Sequence, residues 1–138
     1  MQMGKYVRWE PLTIPECPVY CEVLRDDYEG FRVLLNGESR TTRTIRVTFE
    51  APLMYQVRGE WFQLAPQTHA LGLEPGYPFY VVEDSPLLVE FHLASLGIYQ
   101  TWHINHYAIY TATDCIDVLS TVPPKVEILG SDPFLIND

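Results

Sequence analysis

Residues 101–121 read TWHINHYAIYTATDCIDVLST and hold two histidines, an asparagine, two tyrosines, two aspartates and a cysteine. Whether this run is helix or strand decides the fold, and with it which of these side chains can meet. On a helix, His103 and His106 would share a face and could ligate one metal ion. On a strand side chains alternate, so His103, Asn105 and Tyr107 face one way while Trp102, Ile104, His106 and Ala108 face the other. The abundance of Trp, Ile, Tyr and Thr favours the strand. The run therefore reads as two strands, TWHINHYAIYT and CIDVLS, joined at Ala112-Thr113-Asp114 as a hairpin. The two histidines point apart.

That parity sorts the chemistry. His106 falls among apolar neighbours and reads as a core-margin histidine whose ring nitrogens are hydrogen-bonded. His103 and Asn105 stand about 6–7 Å apart on the other face. Asp117 joins them from the neighbouring strand if the register allows, although a slip of one residue reverses its face. His103, Asn105 and Asp117 are thus the candidate catalytic residues, suited to general-base work. There is no G-x-S-x-G, no glycine-rich phosphate loop and no H-E-x-x-H, so neither a cofactor nor a metal is expected. Cys17, Cys21 and Cys115 are an odd number without redox or zinc spacing and read as idle thiols.

Outward from this hairpin the β signal continues. TIRVTFE (44–50) alternates most cleanly, with Ile45, Val47 and Phe49 inward and Thr44, Arg46 and Thr48 toward water. Upstream, Phe31, Val33 and Leu35 share one face of a strand ended by the Asn36-Gly37 turn signal. Leu53, Tyr55 and Val57 repeat the pattern, FYVV (79–82) adds a short strand, and VPPKVEIL (122–129) adds an edge strand. Residues 60–78 lack a sustained period and read as a long loop. One helix is expected near residues 86–96, because Ser85 is a natural N-cap, Pro86 suits the first helical position and Gly97 suits the stop. The chain is expected to be mainly β (α+β), an antiparallel sandwich-like or rolled sheet of about six to eight strands. Its 138 residues read as a single domain, with 1–18 as a Pro-rich N-terminal arm.

Charge narrows the partners. A formal net charge of −9 disfavours nucleic acid and anionic membrane, both of which are bound through clustered Lys and Arg. No Lys or Arg occurs between Arg58 and Lys125, a gap that contains Glu60, Glu74, Glu83, Asp84, Glu90, Asp114 and Asp117. Aromatic anchors in an acidic surround suit a protein interface. Glu60, Trp61, Phe62, Glu74, Tyr77, Glu83 and Asp84 are therefore the candidate partner contacts. No run of about 18 apolar residues and no signal-peptide pattern is read, so a cytoplasmic protein is expected.

With YVVEDSPLLVEF (80–91) followed by HYAIYTATDCIDVLS (106–120), the chain resembles small bacterial β-rich proteins of the toxin-immunity type in size, charge and layout. The resemblance implies a non-enzymatic binding module that occludes a basic toxin domain; it lends no residue roles. Two other readings stay open: an enzyme or metal-binding protein using His103, Asn105 and Asp117, and a small-ligand carrier with an aromatic-lined cavity. The exposed edge of the Pro-rich arm would also suit a homodimer.

Overall fold

The structure, a computed structural model, describes residues 4–14, 18–37, 43–59 and 72–129. Among these lie nine strands and one helix: β1 (Lys5–Arg8), β2 (Val19–Asp27), β3 (Gly30–Gly37), β4 (Ile45–Phe49), β5 (Met54–Gly59), β6 (Phe79–Glu83), α1 (Pro86–Ala94), β7 (Asn105–Tyr110), β8 (Asp114–Ser120) and β9 (Lys125–Ile128). They form two antiparallel sheets, one in the order β1-β6-β7-β8-β5 and the other in the order β2-β3-β4-β9. The described residues are mainly β with one short helix, as the alternation in the sequence indicates.

The count exceeds six to eight because two strands are weakly signalled. β1 lies inside the Pro-rich arm and pairs with β6 from Lys5 opposite Glu83 to Arg8 opposite Tyr80. β2 pairs with β3, but a register irregularity between Cys21 and Val23 interrupts its alternation.

The sheets bury their facing sides against each other. Phe31 of β3 stacks on Tyr55 of β5 at 4.0 Å between ring centroids, and Phe49 of β4 meets Tyr107 of β7 at 5.7 Å. Phe79, Ile109, Ile116 and Val118 complete this layer from the five-stranded sheet, and Val33, Leu35, Ile45 and Val47 from the other. β4 follows its expected pattern closely, with Ile45, Val47 and Phe49 buried and Arg46 and Thr48 half-buried. Arg46 pairs across to Glu127 of β9 at 3.0 Å.

Three local expectations differ from the structure. β3 ends at Gly37 as expected, but Asn36 and Gly37 are its last paired residues, opposite Tyr20 and Val19; cross-strand pairing overrides the local turn preference at these two positions. Thr44, expected toward water, is buried just ahead of β4, where its carbonyl accepts the Leu129 amide. The strand expected from residue 101 begins only at Asn105. Gly97, at φ +76°, follows the end of α1, and turn bonds from Ile98 to Ser95, Gln100 to Gly97 and Trp102 to Tyr99 consume the residues between.

Ile116→Ala, which empties a fully buried site, is expected to lower unfolding free energy by about 2–5 kcal/mol with an unchanged urea slope. Tyr28→Ala, at a side chain 96% exposed, is expected to stay within about 0.5 kcal/mol of wild type in the same titration.

Candidate functional site

The outer face of the five-stranded sheet carries a buried polar chain. In the β7–β8 pairing Ala108 lies opposite Asp117, so Asp117 sits between His106 and Tyr110 as its diagonal neighbours on the same face. In the β5–β8 pairing Gln56 lies opposite Asp117, which brings Arg58 into the same position from the other side. The register is set by a three-residue loop in which the Thr111 amide donates to the Asp114 carbonyl, while Thr111 Oγ1 accepts from the amides of Thr113 and Asp114.

Asp117 is fully buried. Its Oδ1 accepts from His106 Nε2 at 2.8 Å and from the Tyr110 hydroxyl at 2.9 Å, and its Oδ2 accepts from Arg58 Nη2 at 2.7 Å. Burial is the largest single influence on its carboxyl and raises the pKa. The hydrogen bond and charge of His106, followed by those of Arg58, outweigh burial and hold it below the usual carboxylate value. The Tyr110 hydroxyl is pushed far up, first by burial and then by the Asp117 charge, so it stays protonated and donates. Tyr6 from β1 extends the chain, with its hydroxyl 2.8 Å from that of Tyr110.

At its other end the chain reaches α1. His106 Nδ1 lies 2.6 Å from Ser85 Oγ, and Ser85 Oγ accepts the Leu88 amide at 3.0 Å as the helix N-cap. Asp84, at φ +50°, turns the chain from β6 into the helix. A carboxylate on Nε2 requires that nitrogen to carry the proton; when the ring is neutral, Nδ1 is then the acceptor for the Ser85 hydroxyl. Every member of Arg58, Asp117, His106 and Ser85 is thus joined to the next. Ser85 and His106 also line a cavity of about 580 Å³ between the end of β6, α1 and the start of β7. Its walls include Val82, Leu88 and Ile104, and Glu83 and Asp84 stand at its rim.

The structure does not bring His103, Asn105 and Asp117 together. His103 is exposed in the segment before β7, and Asn105 begins the strand on the face opposite to that of His106. Asp117 joins His106 instead. Ser85 was legible only as a helix cap, because its nearness to His106 depends on where β6 and β7 pair. Among the described residues no group of three or more His, Cys, Asp or Glu is placed to hold a metal ion.

The sequence-derived partner contacts separate. Glu60, Trp61 and Phe62 lie outside the described residues. Glu74 accepts from Arg8 at 2.8 Å, and Tyr77 is buried beneath the Arg8 guanidinium, its hydroxyl donating to the Trp9 carbonyl. Both belong to the packing around β1. Glu83 and Asp84 are exposed at the start of α1. Beside them is a feature the sequence pattern concealed: no residue of α1 is fully buried, and Val89, Leu93 and Leu96 form an exposed apolar shelf along one shallow groove, Leu93 at 74% and Leu96 at 88%, with Ile98 and Trp102 also exposed in the turns that follow. Of the described thiols, Cys115 is buried and Cys21 is pushed up to about 11 by burial, so neither is a ready nucleophile.

No family model, curated protein or solved structure matches the chain.

Asp117→Asn leaves Arg58 without its buried counter-charge and is expected to cost about 3 kcal/mol at pH 7, the low end for such pairs because Arg58 keeps 26% exposure. Because the folded pKa of Asp117 is depressed, its contribution is present above the unfolded value of about 3.9 and is lost as pH falls through the folded value. Urea titrations between pH 3 and pH 7 are expected to show a steeper acid loss in wild type than in the variant.

Proposed function

We propose that the protein is an acidic binding module that docks a basic protein partner on the outward face of α1 and the turns that follow it. The observation that carries this reading is the exposed apolar shelf on a helix none of whose residues is fully buried. A soluble chain that leaves Leu93, Leu96 and Ile98 in water gains by covering them, at about 1.5–3 kcal/mol for each fully buried aliphatic side chain. Trp102, half-exposed against Tyr99 in the turns after the helix, offers an aromatic anchor.

Charge complementarity selects the partner. Glu83, Asp84 and Glu90 are exposed on or beside α1, and no Lys or Arg occurs anywhere between Arg58 and Lys125. Such a surface attracts a cationic protein and repels phosphate and anionic lipid. A second copy of this chain would bring like charges together on this face, so a basic partner is the better complement. Stoichiometric occlusion of a basic toxin domain is the activity this surface suits, in keeping with the toxin-immunity resemblance. The cytoplasm, where cysteine thiols stay reduced, is the compartment we infer. Among the described residues no helix is long and apolar enough to cross a membrane.

The test is capture at low and high salt, followed by titration of the purified partner against wild type and two variants. A basic partner is expected in near-equal amount. The double variant Leu93→Asp/Leu96→Asp is expected to bind at least about 10-fold more weakly. Glu83→Lys/Asp84→Lys/Glu90→Lys is expected to slow association and flatten its salt dependence. Undiminished binding by the Leu93/Leu96 variant would remove the docking face from α1.

A further inference from the structure

We propose that Ser85, His106 and Asp117 form a hydrolytic site for uncharged esters of short apolar acids in the cavity beneath α1. This goes beyond the docking role, which uses the outward face of the same helix, and either reading can fail without the other.

Three observations meet at this place. The first is a directional chain: Asp117 Oδ1 holds the Nε2 proton of His106 at 2.8 Å, and His106 Nδ1 faces Ser85 Oγ at 2.6 Å. A nucleophile, a base and a group that orients the base therefore stand in order, each within hydrogen-bond reach of the next. Second, Ser85 and His106 both line a cavity of about 580 Å³, a volume within the usual range for small-molecule sites. Third, the N-terminal end of α1 opens there, since Ser85 caps it and Leu88 also lines the cavity. The partial positive charge of that helix end favours an oxyanion.

The lining sets the substrate class. Val81, Val82, Leu88, Val89 and Ile104 offer apolar walls to an acyl chain beside the polar His92 and Asn105, while the exposed Glu83 and Asp84 of the same lining disfavour anionic substrates such as phosphate esters.

Ser85 Oγ attacks the ester carbonyl carbon as its proton passes to His106 Nδ1, and the carbonyl π pair moves onto oxygen. Asp117 stabilises the resulting imidazolium through Nε2–H. The tetrahedral intermediate collapses, its C–O bond to the alcohol breaks, and the departing alkoxide takes the proton from Nδ1. Water then attacks the acyl-Ser85 ester, giving its proton to Nδ1. The second collapse releases the carboxylic acid and returns the proton to Ser85 Oγ, so the cycle consumes one ester and one water. Ser85 and His106 are the catalytic residues, and Asp117 is a positioning residue.

The experiment treats the full chain with a fluorophosphonate, which an activated serine attacks at phosphorus with loss of fluoride, and follows intact mass with peptide mapping. Hydrolysis of p-nitrophenyl butyrate runs in parallel. A single adduct on Ser85 with ester turnover is expected. Ser85→Asn, which keeps an N-cap acceptor and so protects the helix, is expected to lose both. His106→Gln is expected to slow labelling about 10²–10⁴-fold. Imidazole ¹⁵N spectra are expected to show His106 protonated at Nε2 in wild type and at Nδ1 in Asp117→Asn, a change that loss of stability alone would not produce. No adduct on folded wild type, an adduct on another residue, wild-type labelling in His106→Gln, or an Nδ1-protonated ring in wild type would each overturn the proposal.

Discussion

A carboxylate with no access to water has to be neutralised or compensated, and in this protein the side chain under that constraint is Asp117. Its compensation comes from three directions at once. Arg58 reaches it from β5, His106 and Tyr110 reach it from β7, and Tyr6 of β1 joins through Tyr110. One buried charge therefore ties both edge strands of the five-stranded sheet to its centre. Through His106 and Ser85 the same chain continues into the cap of α1. The only helix among the described residues is thus anchored at its first turn by polar bonds, with a modest contribution from burial of its own side chains.

That mode of anchoring explains a helix that is apolar nearly all round and still stands mostly in water. A surface helix normally turns an apolar stripe to the core and a polar stripe outward. PLLVEFHLA has no such division, so whichever way α1 is held some apolar side chains must project. The cap fixes which ones do: Leu88 and Val89 line the cavity, while Leu93 and the outer part of Val89 are exposed. The exposed apolar face and the cavity are two consequences of one orientation. The acidic residues at the head of the helix border both, which gives the outer surface and the cavity mouth the same electrostatic preference.

Much of the architecture was legible along the chain. Ile45, Val47 and Phe49 alternate because one side of β4 faces the opposing sheet. Ser85-Pro86 marked the start of the helix through capping chemistry that operates within a single turn. The face of His106 followed from strand period alone, since parity survives a wrong strand boundary. His103 was misplaced because the turns after Gly97 use residues whose composition suits a strand, and only the succession of turn bonds shows otherwise. Asn36-Gly37 misled for the opposite reason: its local preference for a turn is small beside the pairing of β2 with β3.

Along the chain alone, the β class, the position of α1, the acidic stretch from 59 to 124 without Lys or Arg, and the burial of His106 could be read, all properties of composition or of neighbours a few residues apart. That Asp117 faces His106 and not His103, that Ser85 meets His106 across 21 positions, and that α1 shows its apolar side to solvent emerge only once the sheets are paired. Those outcomes depend on register. A shift of one residue in either pairing of β8 would turn Asp117 to the other face of the sheet, and no local pattern encodes which register wins. It is selected by the collective fit of two sheets and by the requirement that one buried charge find its partners.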